Sequence, residues 1–566
     1  MVAPVSLADR AARDPALVGV KAARLAAAAG AGLPVLSGRV LPSQASSDAV
    51  ARGVDALVEM SGAPRAYLAA MESSVPGDLA EELAPPSRDE LLVVRSSTLL
   101  DDDGRWSGAF TSYLGIGSSD LPTAIRGCWA SAFSADAVER CRETGIEIGR
   151  LRIGVLVQPF ISFDTGGTAQ VRRDGTVTVT AAPGGPAGVV GGRDGLEVIV
   201  GADDRVAEGL EDAAIGAATA EAVAALARRA AQAVAAGVIE WGAIGDEVYL
   251  LQIGPVPPDA VALLQPSVAT ATPARIPAVA EGIARLVTTF PGPLGDELVL
   301  PWALGAGDVP ERDRIEVDDP LSALREARAT ASELAAEVWR KSPGRAQESV
   351  ALVARLLLAG RVEEGCREIA GLRPPDTATA RHVVGVARGV GAFLADAGVL
   401  PSPRLVWRLT ALELERAIAG ARPSLRRGPG RWEPFVADVV RSRGLHTTGT
   451  PVSPGIAAGR PHRLRELRAI GRTGPREVLV TPLPLPHLAP LLWHSAALVS
   501  IGGSSGAHLF EVAQSLGVPA VIGVDPGAAD GANSLIAVDG DAGLVSILPP
   551  GGTSTLPSHD DARATA

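Results

Sequence analysis

The chain has 566 residues, too many for one hydrophobic core, so several domains of roughly 100–200 residues each are expected. Its 47% hydrophobic and 20% charged residues give a globular balance, with 64 glycines and 44 prolines marking many turns. A net charge of −12 without any basic block argues against nucleic acid as a partner. No apolar run reaches the roughly 18–20 residues of a membrane helix, and MVAPVSLADRAARDP lacks a leader pattern, so a cytoplasmic protein with no membrane association is expected.

In residues 1–45 the apolar stripe of VKAARLAAAAGAG predicts a helix, and the Pro and Gly of LPVLSGRVL turn the chain into a strand. Residues 48–83 read as helical, DELLVVRSS as a short strand, and LPTAIRGCWASAFSADAVERCRETG as an amphipathic helical stretch stopped by Gly. IGVLVQPFI and TAQVRRDGTVTVTAA are strand-like, the second folding at RDG. A helix follows in VAEGLEDAAIGAATAEAVAALARRAAQAVAA, then two strands around the GD turn of VIEWGAIGDEVYLLQIGPV. This mixture predicts one α+β domain over 1–258, with two lobes divided near 152.

A loosened Pro/Thr/Ala passage places a linker at about 260–275. Residues 275–441 carry helical stripes such as LSALREARATASELAAEVWRK and predict a mostly helical domain. The Gly- and Pro-containing stretch 428–455 reads as a hinge. A last compact β/α section is expected over 446–549, with strands REVLVTP, AALVSI and AVIGV and the helix HLFEVAQSLG, and the polar tail 550–566 is expected to be disordered. Cys128, Cys141 and Cys366 show no metal-ligand spacing and read as structural. Of 52 basic residues only Lys21 and Lys341 are lysines, so each that persists is expected to have a reason.

The strongest chemical signal is SIGGSSGAHLFEVAQSLGVPAVIGV, residues 500–524: a strand, a Gly-rich turn, then His508 at the start of a helix. Backbone N–H groups of such a turn and the helix N-terminus favour a phosphoryl group on the imidazole, and a histidine so poised is a nucleophile; a lone histidine there serves equally as a cap or a core group. The run resembles the phosphohistidine domain of phosphoenolpyruvate synthase, pyruvate phosphate dikinase and rifampin phosphotransferase, with Gly502-Gly503 and Gly517-Val518-Pro519-Ala520-Val521 at matching places. TGTPVSPGIAAGR, residues 448–460, resembles the opening of that domain. The departures are one extra residue in the turn and Ala507 where the family has Ser.

The N-terminal half resembles the ATP-grasp domain of the same family. Gly19-Val20-Lys21 looks like its Gly-Gly-Lys start, whose lysine contacts nucleotide phosphates, a task suited to a compact point charge. VVRSSTLLDDDGRWSGAFTSYL, residues 93–114, looks like its Val-Arg-Ser-Ser segment followed by acidic residues and an Ala-Gly turn. The resemblance puts Arg95 on the phosphates, with Ser107 and Gly108 in a flap over them. VLVQPFI places Gln158 at the adenine pocket. Val238-Ile239-Glu240-Trp241 and Leu250-Leu251-Gln252 resemble strands whose Glu and Gln bind Mg²⁺, which takes hard oxygen ligands. Gly254 stands where the family has arginine, and the loop 181–195 and Thr180 lack its glutamates.

The resemblance therefore implies a multidomain α+β and α/β protein: an N-terminal ATP-grasp domain, a helical middle domain and a C-terminal swivelling phosphohistidine domain. It also implies ATP and Mg²⁺ as cofactors and ATP cleaved to AMP and Pi, with one phosphoryl group carried by His508 to a small-molecule hydroxyl. FPGPLGDELVLPWALG and GVLPSPRLVWRLTALELERAI bring the chain nearest to the rifampin phosphotransferase type, and no stretch corresponds to the pyruvate-binding barrel, so phosphoenolpyruvate synthesis is not expected. The acceptor is expected on the helical domain, apolar molecules included. Trp302, Trp339, Trp407 and Trp432 are candidates for its walls or for the core, and no acceptor-side base is singled out among His382, His446, His462, His487 and His494. A phosphohistidine-driven condensation and a degenerate nucleotide-binding site are the competing expectations. Oligomeric state has no signature in the sequence.

Overall fold

The computed structural model describes residues 3–57, 62–85, 87, 90–172, 174–193, 195–211, 214–255, 278–305, 314–400, 402–421, 423, 430–464, 476–527 and 534–550. The expected linker at 260–275 and the tail beyond 550 lie outside the described residues. The chain forms two compact units: Met1–Ala262 with Pro482–Trp493 and Gly502–Gly517, and Leu263–Thr481 with His494–Ile501 and Val518–Ala566. Both helices and sheets are present in each, so the chain is a multidomain mixture of α and β structure.

The first unit contains two antiparallel sheets. The five-stranded one runs in the order Val5–Ser6, Arg39–Leu41, Gly154–Pro159, Leu92–Ser97, Ser112–Ile116. Its core holds Val94, Trp129, Phe133 and Val155, supplied by strands and by helices Ser47–Ala56, Gly62–Met71 and Leu121–Ala130. The six-stranded one runs Glu247–Gly254, Val238–Ile244, Thr165–Val171, Val177–Pro183, Leu196–Val200, Val206–Glu208. The turns at Asp174-Gly175 and at Gly245-Asp246 reverse its chain as the sequence predicts, whereas Leu196–Val200 and Val206–Glu208 complete it unforeseen, the latter in a stretch read as helical, the helix itself being Ala217–Val234.

Helix Val20–Gly30 has alanines on most of its buried face, so it packs closely. Ala23, Leu25 and Ala26 share a core with Ile239, Trp241, Leu250 and Ile253 of the six-stranded sheet. Its start is tied instead to the five-stranded sheet. Gly19 has φ +80°, a conformation that favours glycine, and a Cβ there would meet the Ser97 carbonyl carbon at 2.3 Å. Val20 N donates to the Thr98 carbonyl at 2.9 Å and Ala22 N to Ser97 Oγ at 3.1 Å. The Gly-Val-Lys and Arg-Ser-Ser motifs are thereby locked together.

In the second unit the stripes read from the sequence become helices, the longest being Pro320–Trp339, Pro343–Leu358 and Thr377–Asp396. Trp302, Trp339, Trp407 and Trp432 are all buried in their common core. The described part of the stretch read as a hinge, residues 430–455, carries regular elements. It forms helix Glu433–Arg443 and strands Leu445–Thr448 and Thr450–Ser453, because Phe435, Val436, Val439 and Val440 are drawn into that core. A four-stranded antiparallel sheet and a five-stranded sheet complete the unit. In the latter, Pro461–Arg463, Val478–Thr481, Ala497–Ser500 and Ala520–Ile522 are parallel and Thr450–Ser453 is antiparallel. Among the described residues no helix is long and apolar enough to cross a membrane.

Candidate active site

Lys21 is the second residue of helix Val20–Gly30, which the contacts of Gly19 hold against Ser97 and Thr98. Its Nζ lies 3.0 Å from Asp101 Oδ1, while Asp101 Oδ2 accepts from Thr98 N at 2.6 Å. That backbone donor and the lysine together satisfy a nearly inaccessible carboxylate, which leaves Lys21 donors to spare. Asp101 belongs to the acidic run read from the sequence, without having been singled out.

Arg95 leaves strand Leu92–Ser97 toward the six-stranded sheet. Its Nη1 donates to Gln252 Oε1 and to the Leu251 carbonyl, each at 3.3 Å, and lies 3.7 Å from Glu240 Oε2. Its Nε is buried with no hydrogen-bond partner among the described residues. Glu240 and Gln252 face each other in the antiparallel pair Val238–Ile244 and Glu247–Gly254, and a register shift follows directly after Glu240. Residues opposed in this way present their side chains on one face. Gly254, where an arginine was expected from the resemblance, pairs with Val238, and a Cβ there would meet Val238 Cγ1 at 2.4 Å.

His508 opens helix His508–Leu516, whose N-cap Ala507 has no side chain to cap the first turn. The preceding Gly-rich turn is fixed at close quarters: Gly503 has φ +98°, and a Cβ there would meet the Gly192 carbonyl oxygen at 2.4 Å. Ser505 Oγ hydrogen-bonds Glu197. The imidazole is 15% exposed, its Nε2 3.9 Å from Glu240 Oε1. On its other edge Nδ1 lies 2.8 Å from Ser107 Oγ and 3.4 Å from Glu511 Oε2, and Ser107 Oγ donates to Glu511 Oε2. Gly108, with φ +69°, lets the turn pass close by, since a Cβ there would lie 3.4 Å from His508 Cβ.

Burial is the largest single influence on the imidazole and pulls its pKa down, but Glu511, by charge and hydrogen bond, and Glu240, by charge, outweigh it. The ring therefore stands above the ordinary 6.5, against an opposing push from Lys21. Burial also raises Glu511, yet the charge and hydrogen bond of His508 and the Ser107 hydroxyl prevail and hold it below 4.5.

Lys21, Arg95, Ser107, Gly108, Glu240, Gln252 and His508 all belong to the first unit, and hydrogen bonds or ion pairs link Arg95 to Glu240 and Gln252, and His508 to Glu240 and Ser107. Gln158 is not among these contacts; its Nε2 donates to the Leu36 carbonyl at 2.9 Å from strand Gly154–Pro159. Like Asp101, the participants Glu511, Arg140 and Asp136 were not singled out in the sequence. Glu511 had a usable signal, since a residue three beyond His508 shares its helix face. Arg140 and Asp136 had none. The fully buried Arg140 donates through Nη1 to the carbonyls of Arg105 and Ser107 at 2.6 and 3.0 Å, and through Nε and Nη2 to Asp136 at 2.7 Å each.

Glu240 and Gln252 form an oxygen-only donor set, which suits a hard divalent cation, and the unpaired Arg95 Nε and the spare donors of Lys21 suit phosphate oxygens. Among the described residues no group of three or more His, Cys, Asp or Glu is placed to hold a metal.

Two stretches match known protein families. Residues 15–236 match the AMP/ATP-binding domain of pyruvate phosphate dikinase, and residues 473–543 match the mobile domain of PEP-utilising enzymes. A probable phosphoenolpyruvate synthase of Methanothermobacter thermautotrophicus is 30% identical over 109 residues, 19% of this chain and 16% of that protein. The phosphoenolpyruvate synthase of Aeropyrum pernix is 37% identical over 101 residues, 17% of this chain and 12% of its own. A chondramide synthase of Chondromyces crocatus is 35% identical over 103 residues, 18% of this chain and 3% of that protein. The chain thus spans a small fraction of the length of these relatives.

Proposed function

Because the chain belongs to the family of phosphoenolpyruvate synthase-like and pyruvate phosphate dikinase-like proteins, we propose that it is an ATP-dependent phosphotransferase in which His508 takes a phosphoryl group and delivers it to a small-molecule hydroxyl, ATP ending as AMP and Pi. The observation that carries this reading is the approach of His508 Nε2 to Glu240, 3.9 Å away, beside Arg95 and Gln252. A nucleophile stands next to the groups suited to a metal–triphosphate.

In this reading Lys21 and Arg95 bind phosphate oxygens, Ser107 and Gly108 belong to the turn beside the imidazole, and Gln158 lies toward the base. Glu240 and Gln252 hold Mg²⁺, which supplies neutralisation of phosphate charge. Phosphoryl transfer needs chiefly positioning and electrostatics, and these residues provide both. His508 Nε2 attacks phosphorus in line, and the backbone donors of the uncapped first turn of helix His508–Leu516 favour the group it gains. Residues 1–258 serve as the ATP-grasp domain, 446–549 as the carrier and 275–441 as the acceptor domain, an arrangement nearest to the rifampin phosphotransferase type. Burial of the four tryptophans in the helical core favours a small acceptor that does not rest on them.

A second reading, phosphohistidine-driven condensation, gains support from the relative named for chondramide synthesis. Here phosphate leaves the product instead of staying on it. Incubation with [β-³²P]ATP tests both: acid-labile label on the intact chain, absent in His508→Ala, is expected. AMP as the nucleotide product and phosphate retained on the acceptor favour the first reading. Absence of label from the wild-type chain overturns both and leaves a nucleotide-binding protein.

A further inference from the structure

Nothing in the phosphoryl-carrier reading assigns a task to the edge of the imidazole that faces away from Glu240. We infer that Ser107 and Glu511 are a positioning pair that holds His508 in a single tautomer, with the proton on Nδ1 and the lone pair on Nε2. The inference rests on the carrier reading for its consequence, not for its geometry.

The argument is one of hydrogen-bond capacity. An ionised carboxylate only accepts, and a serine hydroxyl has one proton to give. Ser107 gives its proton to Glu511 Oε2, so the 2.8 Å contact between Ser107 Oγ and His508 Nδ1 is satisfied only if Nδ1–H donates to Oγ. The other neutral tautomer would turn the Nδ1 lone pair toward the oxygen lone pairs of Ser107 and toward Glu511, 3.4 Å away. Two like-signed contacts would replace two attractive ones. The hydrogen bond at one ring nitrogen thereby decides which nitrogen is free at the other.

The pair is fixed by structure on both sides. Glu511 sits three residues beyond His508 in the same helix, so the two side chains share a face. Ser107 sits in a turn whose flanking carbonyls are held by the buried Arg140, itself paired with Asp136. The turn reads Ala-Gly in the resembling family and Ser107-Gly108 here, so the hydroxyl is a feature of this chain.

The chemical consequence balances without any further reactant. The Nε2 lone pair forms the bond to phosphorus as the bond from phosphorus to its leaving oxygen breaks, and that oxygen takes the electron pair. Nδ1 keeps its proton. The ring gains positive charge, which the Glu511 carboxylate meets directly and through Ser107. Neither residue is a catalytic residue in this account; both act through His508.

The test uses the full chain labelled with ¹⁵N-histidine. In the neutral ring, observed at alkaline pH, His508 (assigned by comparison with His508→Ala) should show the Nδ1–H, bare-Nε2 pair of shifts. In the Ser107→Ala/Glu511→Gln double variant the shifts should move toward the other tautomer, and the initial rate of labelling by [β-³²P]ATP should fall by about 10²–10³-fold with little change in the ATP concentration at half-maximal rate. Ser107→Thr, which keeps the hydroxyl, should restore most of the rate. An Nε2–H tautomer in the wild-type ring, or labelling by the double variant at the wild-type rate, overturns the inference while leaving the carrier reading intact. An Nδ1–H ring in a chain that takes no label supports the tautomer lock and overturns the carrier reading instead.

Discussion

The two edges of one imidazole are built differently. Around Nε2 stand Glu240, Arg95 and Gln252, which come from strands of the two sheets in the first unit and share charge among themselves. Around Nδ1 stand Ser107 and Glu511, one in a turn and one on the same helix as the histidine, joined by hydrogen bonds of fixed direction. The first edge is an assembly of charges with capacity left over, a property of sites that await a ligand. The second is fully satisfied without one, a property of a support. The lesson is that spare hydrogen-bonding capacity separates groups that bind from groups that orient.

The largest expected effect comes from breaking the charged edge. Arg95→Ala removes the donor shared by Gln252, the Leu251 carbonyl and Glu240, and also the unpaired buried Nε. Loss of one pre-positioned donor to a phosphoryl group is expected to slow labelling of His508 by about 10²–10³-fold. Initial rates with [β-³²P]ATP measure this, and a loss below about threefold would remove Arg95 from the phosphate-binding set. The supporting edge is broken from behind. Arg140→Met leaves Asp136 without its partner and frees the carbonyls of Arg105 and Ser107, so urea unfolding should show a loss of about 3 kcal/mol or more. If stability falls by less than about 1 kcal/mol, the turn is held by something other than the guanidinium.

The same contrast explains what the sequence made legible. Lys21 and Arg95 were found through short motifs, and their juxtaposition follows from Gly19, whose missing Cβ lets the two segments touch. Glu240 and Gln252 were found through the resemblance of their two strands to those of the family; counting back from the GD turn alone would oppose Glu240 to Leu251, and only the register shift after Glu240 brings Gln252 opposite it. The supporting edge was nearly invisible. Ser107 and His508 are 401 residues apart, and no periodicity relates positions that only tertiary folding brings together. Glu511 was within reach of a spacing argument, whereas Arg140 looks in sequence like any charged residue of an amphipathic helix and is instead fully buried. The helix within the stretch 428–455 was missed for a related reason: Gly and Pro drew attention to a hinge, whereas Phe435, Val436, Val439 and Val440 supply a buried face.

The smallest effect expected is a null one, and it reports on both edges at once. Cys128 lies behind the Arg95 strand, its thiol facing the Val94 carbonyl at 3.9 Å, and Cys141 follows Arg140 directly in helix Ala135–Thr144. Burial is the leading cause of a pKa pushed up to about 12 for Cys128 and about 11 for Cys141. Because the shift is upward, the thiolate needed for alkylation is scarcer at every pH below these values than in an unfolded chain, where the ordinary pKa is 9.0. At pH 8 a thiol of pKa about 12 is ionised in roughly one molecule in 10⁴, so moving from pH 7 to pH 8 should leave labelling of both cysteines slow and limited by opening of the structure. Mass spectrometry after iodoacetamide treatment measures each site separately. Arg95→Ala should leave Cys141 protected, whereas Arg140→Met should speed the labelling of Cys141 more than that of Cys128, because only the second substitution loosens the turn beneath Ser107. Equal acceleration at both thiols in the Arg140 variant would mean that the two edges of the imidazole open as one unit, and the distinction between binding and orienting groups would then have no counterpart in local stability.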